Sequence, residues 1–155
     1  MLLVVFKLKI PPPVYMLFVA GMMWLLDCYL PINDFISMPW NRLGYGIILL
    51  AIVTDGISLV QFFRVRTSIN PLQPEKANKL LTTGLYQWTR NPMYLGLLLV
   101  LLGWAIVLGS ISPFIALPIF TVVLTIQQII PEERVLEYKF GKSYREYRQS
   151  VRRWF

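Results

Sequence analysis

With 155 residues, 56 % of them hydrophobic and only 15 % charged, the chain holds more apolar material than a soluble domain of this size can hide. The single cysteine, Cys28, excludes an internal disulfide and a cysteine-based zinc site. The absence of histidine excludes Ser-His and Cys-His pairs, so any general base must be carboxylate, tyrosine, lysine or water.

Four apolar runs, 14–30, 43–63, 92–109 and 113–131, come close to the roughly 20 residues a helix needs to cross a hydrocarbon core. The expected fold is all-α: one integral membrane domain over residues 1–155, with four transmembrane helices and a cytoplasmic amphipathic helical segment at the C-terminus. Of the 15 basic residues, two precede the first run, one lies between the first and second, five between the second and third, none between the third and fourth, and seven follow the last. That alternation puts both termini in the cytoplasm. The net charge of +7 therefore sets orientation and meets anionic lipid headgroups, and nucleic acid is not an expected partner.

Lys7 and Lys9 precede the first run, and Pro11, Pro12 and Pro13 stiffen its start. Bulky Met22, Met23 and Trp24, with no small-residue cleavage pattern, mark an uncleaved span and not a signal sequence. Asp27, near its outer end, is expected to be interfacial. In the outer loop, residues 30–42, Pro39 and Trp40 suit the interface. The second run carries Asp55 near its middle, where an ionisable group is a functional candidate by default. The favoured structural alternative pairs it with Ser58, Thr54 or a polar group of the fourth run.

The inner segment, residues 64–90, is broken by Pro71, Pro74 and Gly84 but holds Leu80, Leu81, Leu85, Tyr86 and Trp88, so it is expected to pack on the membrane face. Asn91 is placed to cap the third helix and Pro92 to occupy its first turn. Gly96 and Gly103, two turns apart, allow another helix to approach closely. Only the GSIS tetrapeptide (109–112) and Pro113 join the third and fourth runs, predicting a tight hairpin, with a kink at Pro118. Beyond the fourth run Gly141 divides two short helices. Ser143 and Glu146 have capping-box spacing for the second, whose Tyr144, Tyr147, Val151 and Trp154 form an apolar stripe suited to the inner leaflet.

A hairpin with arms of about 18 residues, ~27 Å, returns Pro131-Glu132-Glu133 to the level of Arg90 and Asn91. Arg90, the positive end of the third helix, Tyr94, Glu132 and Glu133 should therefore share one pocket at the inner face. A zwitterion with a diol matches it, carboxylate to the cation and ammonium and hydroxyls to the acids.

The Arg90-Asn91-Pro92-Met93-Tyr94 stretch, the later Glu132-Glu133-Arg134-Val135-Leu136, and Phe140-Gly141 followed by Tyr144 and Tyr147 resemble the isoprenylcysteine carboxyl methyltransferase and phospholipid methyltransferase superfamily. The likeness runs from Thr83 to the C-terminus. It implies S-adenosylmethionine at the cytoplasmic ends of the last two spans and a membrane lipid or lipidated methyl acceptor entering from the bilayer. By the same likeness Tyr86, Arg90, Asn91, Pro92, Tyr94, Glu132 and Glu133 line the cofactor pocket, with Arg90 and Glu133 as catalytic residues. Asn91 replaces the family's usual histidine, keeping hydrogen bonding and losing proton transfer. For a carboxylate acceptor Arg90 would hold the nucleophile; for an amine, Glu133 or Tyr94 would take its proton. Two other readings stand beside this one: an NADPH-dependent sterol-type reductase, which has a similar Arg-His-Pro-x-Tyr start, and a non-enzymatic lipid-binding membrane protein. The compact four-span form suggests a prokaryotic inner membrane.

Overall fold

The computed structural model describes residues 10–65, 76 and 79–154. Lys7, Lys9 and residues 66–75 of the long inner segment lie outside the described residues. Among the described residues the secondary structure is helical, apart from a single antiparallel bridge between Asp34 and Ser110.

Helix α1 (Pro12–Tyr29) begins on prolines, whose missing N–H groups cost nothing in a first turn. Helices α2 (Leu43–Val65) and α3 (Pro92–Leu108) follow. The last helical run contains α4 (Ala116–Leu124), a π-helical turn at Thr125–Ile129, and α5 (Ile130–Phe140). Three stretches are long and apolar enough to cross a membrane: Pro12–Tyr29, Trp40–Gln61 and Ser112–Phe140; α3, at 17 residues, is a shorter apolar helix. Outward-facing Leu17, Phe18, Leu49, Ile52, Val122 and Ile126 are exposed on α1, α2 and the last run. Such a belt is stable only against hydrocarbon, and the chain is an integral membrane protein.

Helix α3 is apolar all round because it is covered on two sides. One face carries Tyr94, Leu101 and Ala105 into a core with Met23, Phe120, Leu124 and Ile129. The other carries Gly96 and Gly103 against α2, so close that a Cβ at Gly103 would sit 2.6 Å from the Gly44 carbonyl oxygen. The close approach expected at these two glycines is therefore present, and α2 is the helix that makes it.

The hairpin turn is tied to α1. Gly109 ends α3 at φ +92°, a left-handed conformation that glycine adopts without strain. Ser112 Oγ donates to the Leu30 carbonyl at 2.7 Å, and Ser110 Oγ donates to Asp27 Oδ1 at 2.5 Å. Asp27 is thus a fastening residue between α1 and the turn, where an interfacial role was expected.

Three local expectations are corrected. Pro118 falls in the first turn of α4, where its missing N–H breaks no bond of that helix, and the irregularity lies at Thr125–Ile129 instead. That wider turn precedes Pro131, whose ring crowds the carbonyl four residues back. The helix of the fourth run does not end at residue 131: it continues through Pro131 to Phe140. Helix α6 (Lys142–Ser150) starts from Gly141 with no side-chain cap, so Ser143 and Glu146 form no capping box; Glu146 pairs with Lys142 at 3.7 Å on the surface.

The aromatic stripe of α6 also faces the other way from the expectation. Tyr144, Tyr147 and Val151 are buried on Leu80, Leu136 and Phe140, and Trp154 packs on the main core. The stripe covers the protein's own polar end, because Tyr147 donates its hydroxyl proton to the Tyr86 carbonyl at 2.7 Å.

Candidate functional site

The residues that build the site come from four places in the chain. The turn before α3 supplies Tyr86, Thr89 and Arg90; the start of α3 supplies Asn91, Pro92 and Tyr94; α5 supplies Glu132 and Glu133 in its first turn; and the segment after α6 supplies Arg153. The predicted convergence of Arg90, Tyr94, Glu132 and Glu133 is present.

Arg90 Nη2 lies 3.2 Å from Glu133 Oε1, with both side chains about nine-tenths buried. Arg153 closes on the same carboxylate in a fork, Nε to Oε1 at 3.0 Å and Nη2 to Oε2 at 2.8 Å. That bond to Glu133 raises the Arg153 guanidinium pKa, so the charge is held more firmly. Both Glu133 oxygens are therefore committed to arginines. Arg90 is only partly satisfied. Its Nε and Nη1 are buried without a hydrogen-bond partner among the described residues.

Glu132 takes the other side. Tyr94 donates its phenolic proton to Glu132 Oε2 at 2.7 Å. Gln128, buried on the π-helical turn, hydrogen-bonds the same phenol. The widened turn thus delivers a polar side chain that a regular helix would place elsewhere, a common use of such turns. Tyr86 is buried nearby; burial is the main cause that raises its phenol pKa, and the Glu132 carboxylate adds to it. Burial likewise pushes the Tyr144 phenol up to about 12, reinforced by Glu133 and opposed by Arg90. The Tyr147 phenol is raised by burial against the pull of Arg90. These tyrosines stay neutral at physiological pH and act as walls and hydrogen-bonding groups.

Asn91 stands at the N-cap position but makes no side-chain capping bond. Its Nδ2 donates to the Arg153 carbonyl at 3.0 Å, and Thr89 Oγ1 donates to the same oxygen at 3.1 Å. The Arg90 N–H donates to the Arg152 carbonyl at 3.0 Å. Asn91 is thus a backbone tether for the C-terminal segment. Pro92 is buried and forms the first turn as expected.

Arg153, Thr89 and Gln128 are the site residues that sequence reasoning missed. In sequence Arg153 is one of seven basic residues after the last run, and nothing local to it signals an acid 20 positions away. The expected Asp55 pairing is also corrected. Ser58 Oγ donates to the Thr54 carbonyl and Thr54 Oγ1 to the Leu50 carbonyl, so neither serves Asp55. The Asp55 carboxylate instead lies against Gly96, about 6 Å along α3 from Pro92 and so near the site's end of the bundle.

The chain is 30 % identical over 121 residues to the protein-S-isoprenylcysteine O-methyltransferase of Schizosaccharomyces pombe, covering 76 % of this chain and 50 % of that one. It is 32 % identical over 111 residues to the methanethiol S-methyltransferase of Pseudomonas deceptionensis, covering 70 % of this chain and 40 % of that one. An uncharacterized protein of Haemophilus influenzae is 50 % identical over 62 residues, 40 % of this chain and 98 % of its own length. The chain thus spans half or less of the length of these two methyltransferases. No solved structure matches it. The phospholipid methyltransferase family model matches residues 40–143, a range that includes Arg90, Tyr94, Glu132 and Glu133, and the chain belongs to that family.

Proposed function

We propose that the chain is a four-span membrane methyltransferase that binds S-adenosylmethionine between the starts of α3 and α5, on the cytoplasmic side, and serves a lipid-borne or amphiphilic acceptor. The observation that carries this reading is Arg90, held by Glu133 on one nitrogen and buried with Nε and Nη1 unpaired. Unpaired buried N–H groups are costly, so the site suits a ligand that brings acceptor oxygens, such as a carboxylate. Glu132 and Tyr94 offer oxygens to the ammonium or hydroxyls of the same ligand. S-adenosylmethionine carries all of these groups, and it supplies a methyl group on a sulfonium centre.

The chain's own part is binding, orientation and exclusion of water. Glu133 holds Arg90 at a fixed angle, and Arg153 holds Glu133, so the first role proposed for Glu133 is positioning. Tyr94 fixes the Glu132 carboxylate. Tyr144 and Tyr147 roof the polar end and keep water from it, which strengthens each electrostatic contact beneath. The names of the relatives support methyl transfer as the reaction class. The inner-face location follows from the distribution of lysine and arginine, as does the placement of both termini in the cytoplasm; the compact form suits a prokaryotic inner membrane.

Calorimetry on protein in lipid nanodiscs tests the reading against the alternatives. Heat with S-adenosylmethionine and none with NADPH is expected. Heat with NADPH alone would move the protein to reduction, and silence with both would leave a lipid-binding protein.

A further inference from the structure

Two arginines share the Glu133 carboxylate, and they share it unequally. Arg153 meets it side-on, Nε on Oε1 at 3.0 Å and Nη2 on Oε2 at 2.8 Å, the two-pronged geometry in which guanidinium and carboxylate match best. Arg90 reaches Oε1 through Nη2 alone, at 3.2 Å. Burial by itself favours the opposite order. The Arg90 side chain is 9 % exposed and that of Arg153 36 %, so the arginine that gains more from a full fork is the one without it. Arg90 Nε and Nη1 are the donors left over.

The place of Arg153 is set by its backbone and its neighbours. Its carbonyl accepts from Thr89 Oγ1 and Asn91 Nδ2, and the Arg152 carbonyl accepts from the Arg90 N–H. Val151 packs with Tyr144 and Tyr147 before it, and Trp154 packs on the main core after it. These contacts aim the guanidinium at Glu133 without depending on the ion pair. We infer that Arg153 is a positioning residue: by occupying both Glu133 oxygens it stops that carboxylate from forking onto Arg90, and so keeps Arg90 Nε and Nη1 open to the oxyanion of a ligand. A fork between Glu133 and Arg90 would consume one of those two donors, whichever edge of the guanidinium it used. Charge acts in the same direction. Arg90, Arg153 and Glu133 together carry one net positive charge, which an anionic group completes, whereas Arg90 and Glu133 alone are neutral. This deepens the methyltransferase reading and rests on it for the ligand's identity, the carboxylate of S-adenosylmethionine.

The test joins a ligand-free readout to a binding one, both on intact protein in nanodiscs. Nitrogen-15 spectra of the arginine side chains, with the Arg90 signals identified by their loss in Arg90→Lys, report whether the Arg90 donors are hydrogen-bonded. In Arg153→Ala the Arg90 signals should move to those of a guanidinium forked on a carboxylate. Calorimetry should then show S-adenosylmethionine bound at least about tenfold more weakly, the strength of one charge-assisted hydrogen bond. Added to Glu133→Gln, the same substitution should bring no further loss, because a neutral amide does not compete for Arg90. Arg153→Lys should fall between, keeping the charge without the fork. Arg90 signals that stay in place in Arg153→Ala, or an affinity within about twofold of wild type, overturn the inference. A full further loss on top of Glu133→Gln overturns it too, since Arg153 then acts on the ligand or the fold and not through Glu133. Should Arg153→Ala fail to fold, Arg153→Gln gives the same comparison. Wild type without S-adenosylmethionine heat defeats the methyltransferase reading separately, and the ligand-free spectra still decide the role of Arg153.

Discussion

Replacing Glu133 with glutamine removes one charge and leaves two guanidinium groups facing a neutral amide. The Arg90 and Glu133 side chains are 9 % and 11 % exposed, so their interaction is poorly screened. Breaking a buried pair by neutralising one partner costs roughly 3–5 kcal/mol. The Arg153 side chain is 36 % exposed, so its share is the smaller, about 1 kcal/mol. Since the glutamine oxygen still accepts one hydrogen bond, we expect Glu133→Gln to lose about 3 kcal/mol and Arg153→Ala about 1 kcal/mol. Equilibrium unfolding in mixed detergent, followed by tryptophan fluorescence, measures both. In the double variant the losses should fall short of additivity, because the Arg153 fork is already gone once Glu133 is neutral. A Glu133→Gln protein within about 0.5 kcal/mol of wild type would show that the ion pair is not what fixes Arg90.

Three further outcomes follow from the same geometry. Tyr94→Phe removes a 2.7 Å bond to Glu132 and should weaken S-adenosylmethionine binding several-fold while shifting stability by about 1 kcal/mol; equal affinity by calorimetry would dismiss Tyr94 as an anchor. Gly103→Ala forces a methyl group into the Gly44 backbone and should cost about 1–3 kcal/mol, whereas Gly21→Ala, with open space around it, should be neutral or slightly stabilising, both read by the same unfolding assay. The Tyr144 phenol, raised to about 12, favours the folded state fully below the ordinary tyrosine value near 10, and that contribution is lost as pH rises from about 10 through 12. Stability should therefore fall across that window, and Tyr144→Phe should flatten part of the fall; an identical profile in the variant would remove Tyr144 as its cause.

Much of the site was legible because it depends on helix ends. Asn-Pro opens a helix whatever surrounds it, and a short hairpin must bring residue 131 back to the level of residue 90, so the meeting of Arg90 and Tyr94 with the Glu132-Glu133 pair follows from length, while which acid meets which group does not. What could not be read was set by tertiary contacts. The tyrosine stripe of α6 has the same spacing whether it meets lipid or protein, and only the bond from Tyr147 to Tyr86 decides for protein. The tethering of Asn91 to Arg153 overrides its capping preference across 62 positions. Position along α2 does not reveal which turn of α3 Asp55 faces; Gly96 settles that.

The account's central claim is that the Arg90, Glu132 and Glu133 pocket directs a methyl group to an acceptor in the bilayer. Protein in nanodiscs, incubated with S-adenosylmethionine carrying a tritiated methyl group, measures this directly when the mixture is partitioned between water and organic solvent. The account predicts label in the organic phase with wild type, and its loss in Arg90→Lys, which can still pair with Glu133 but lacks the two unpaired guanidinium donors. Label confined to the aqueous phase with wild type, across amine, carboxylate and thiol amphiphiles, or undiminished transfer by Arg90→Lys, would contradict it.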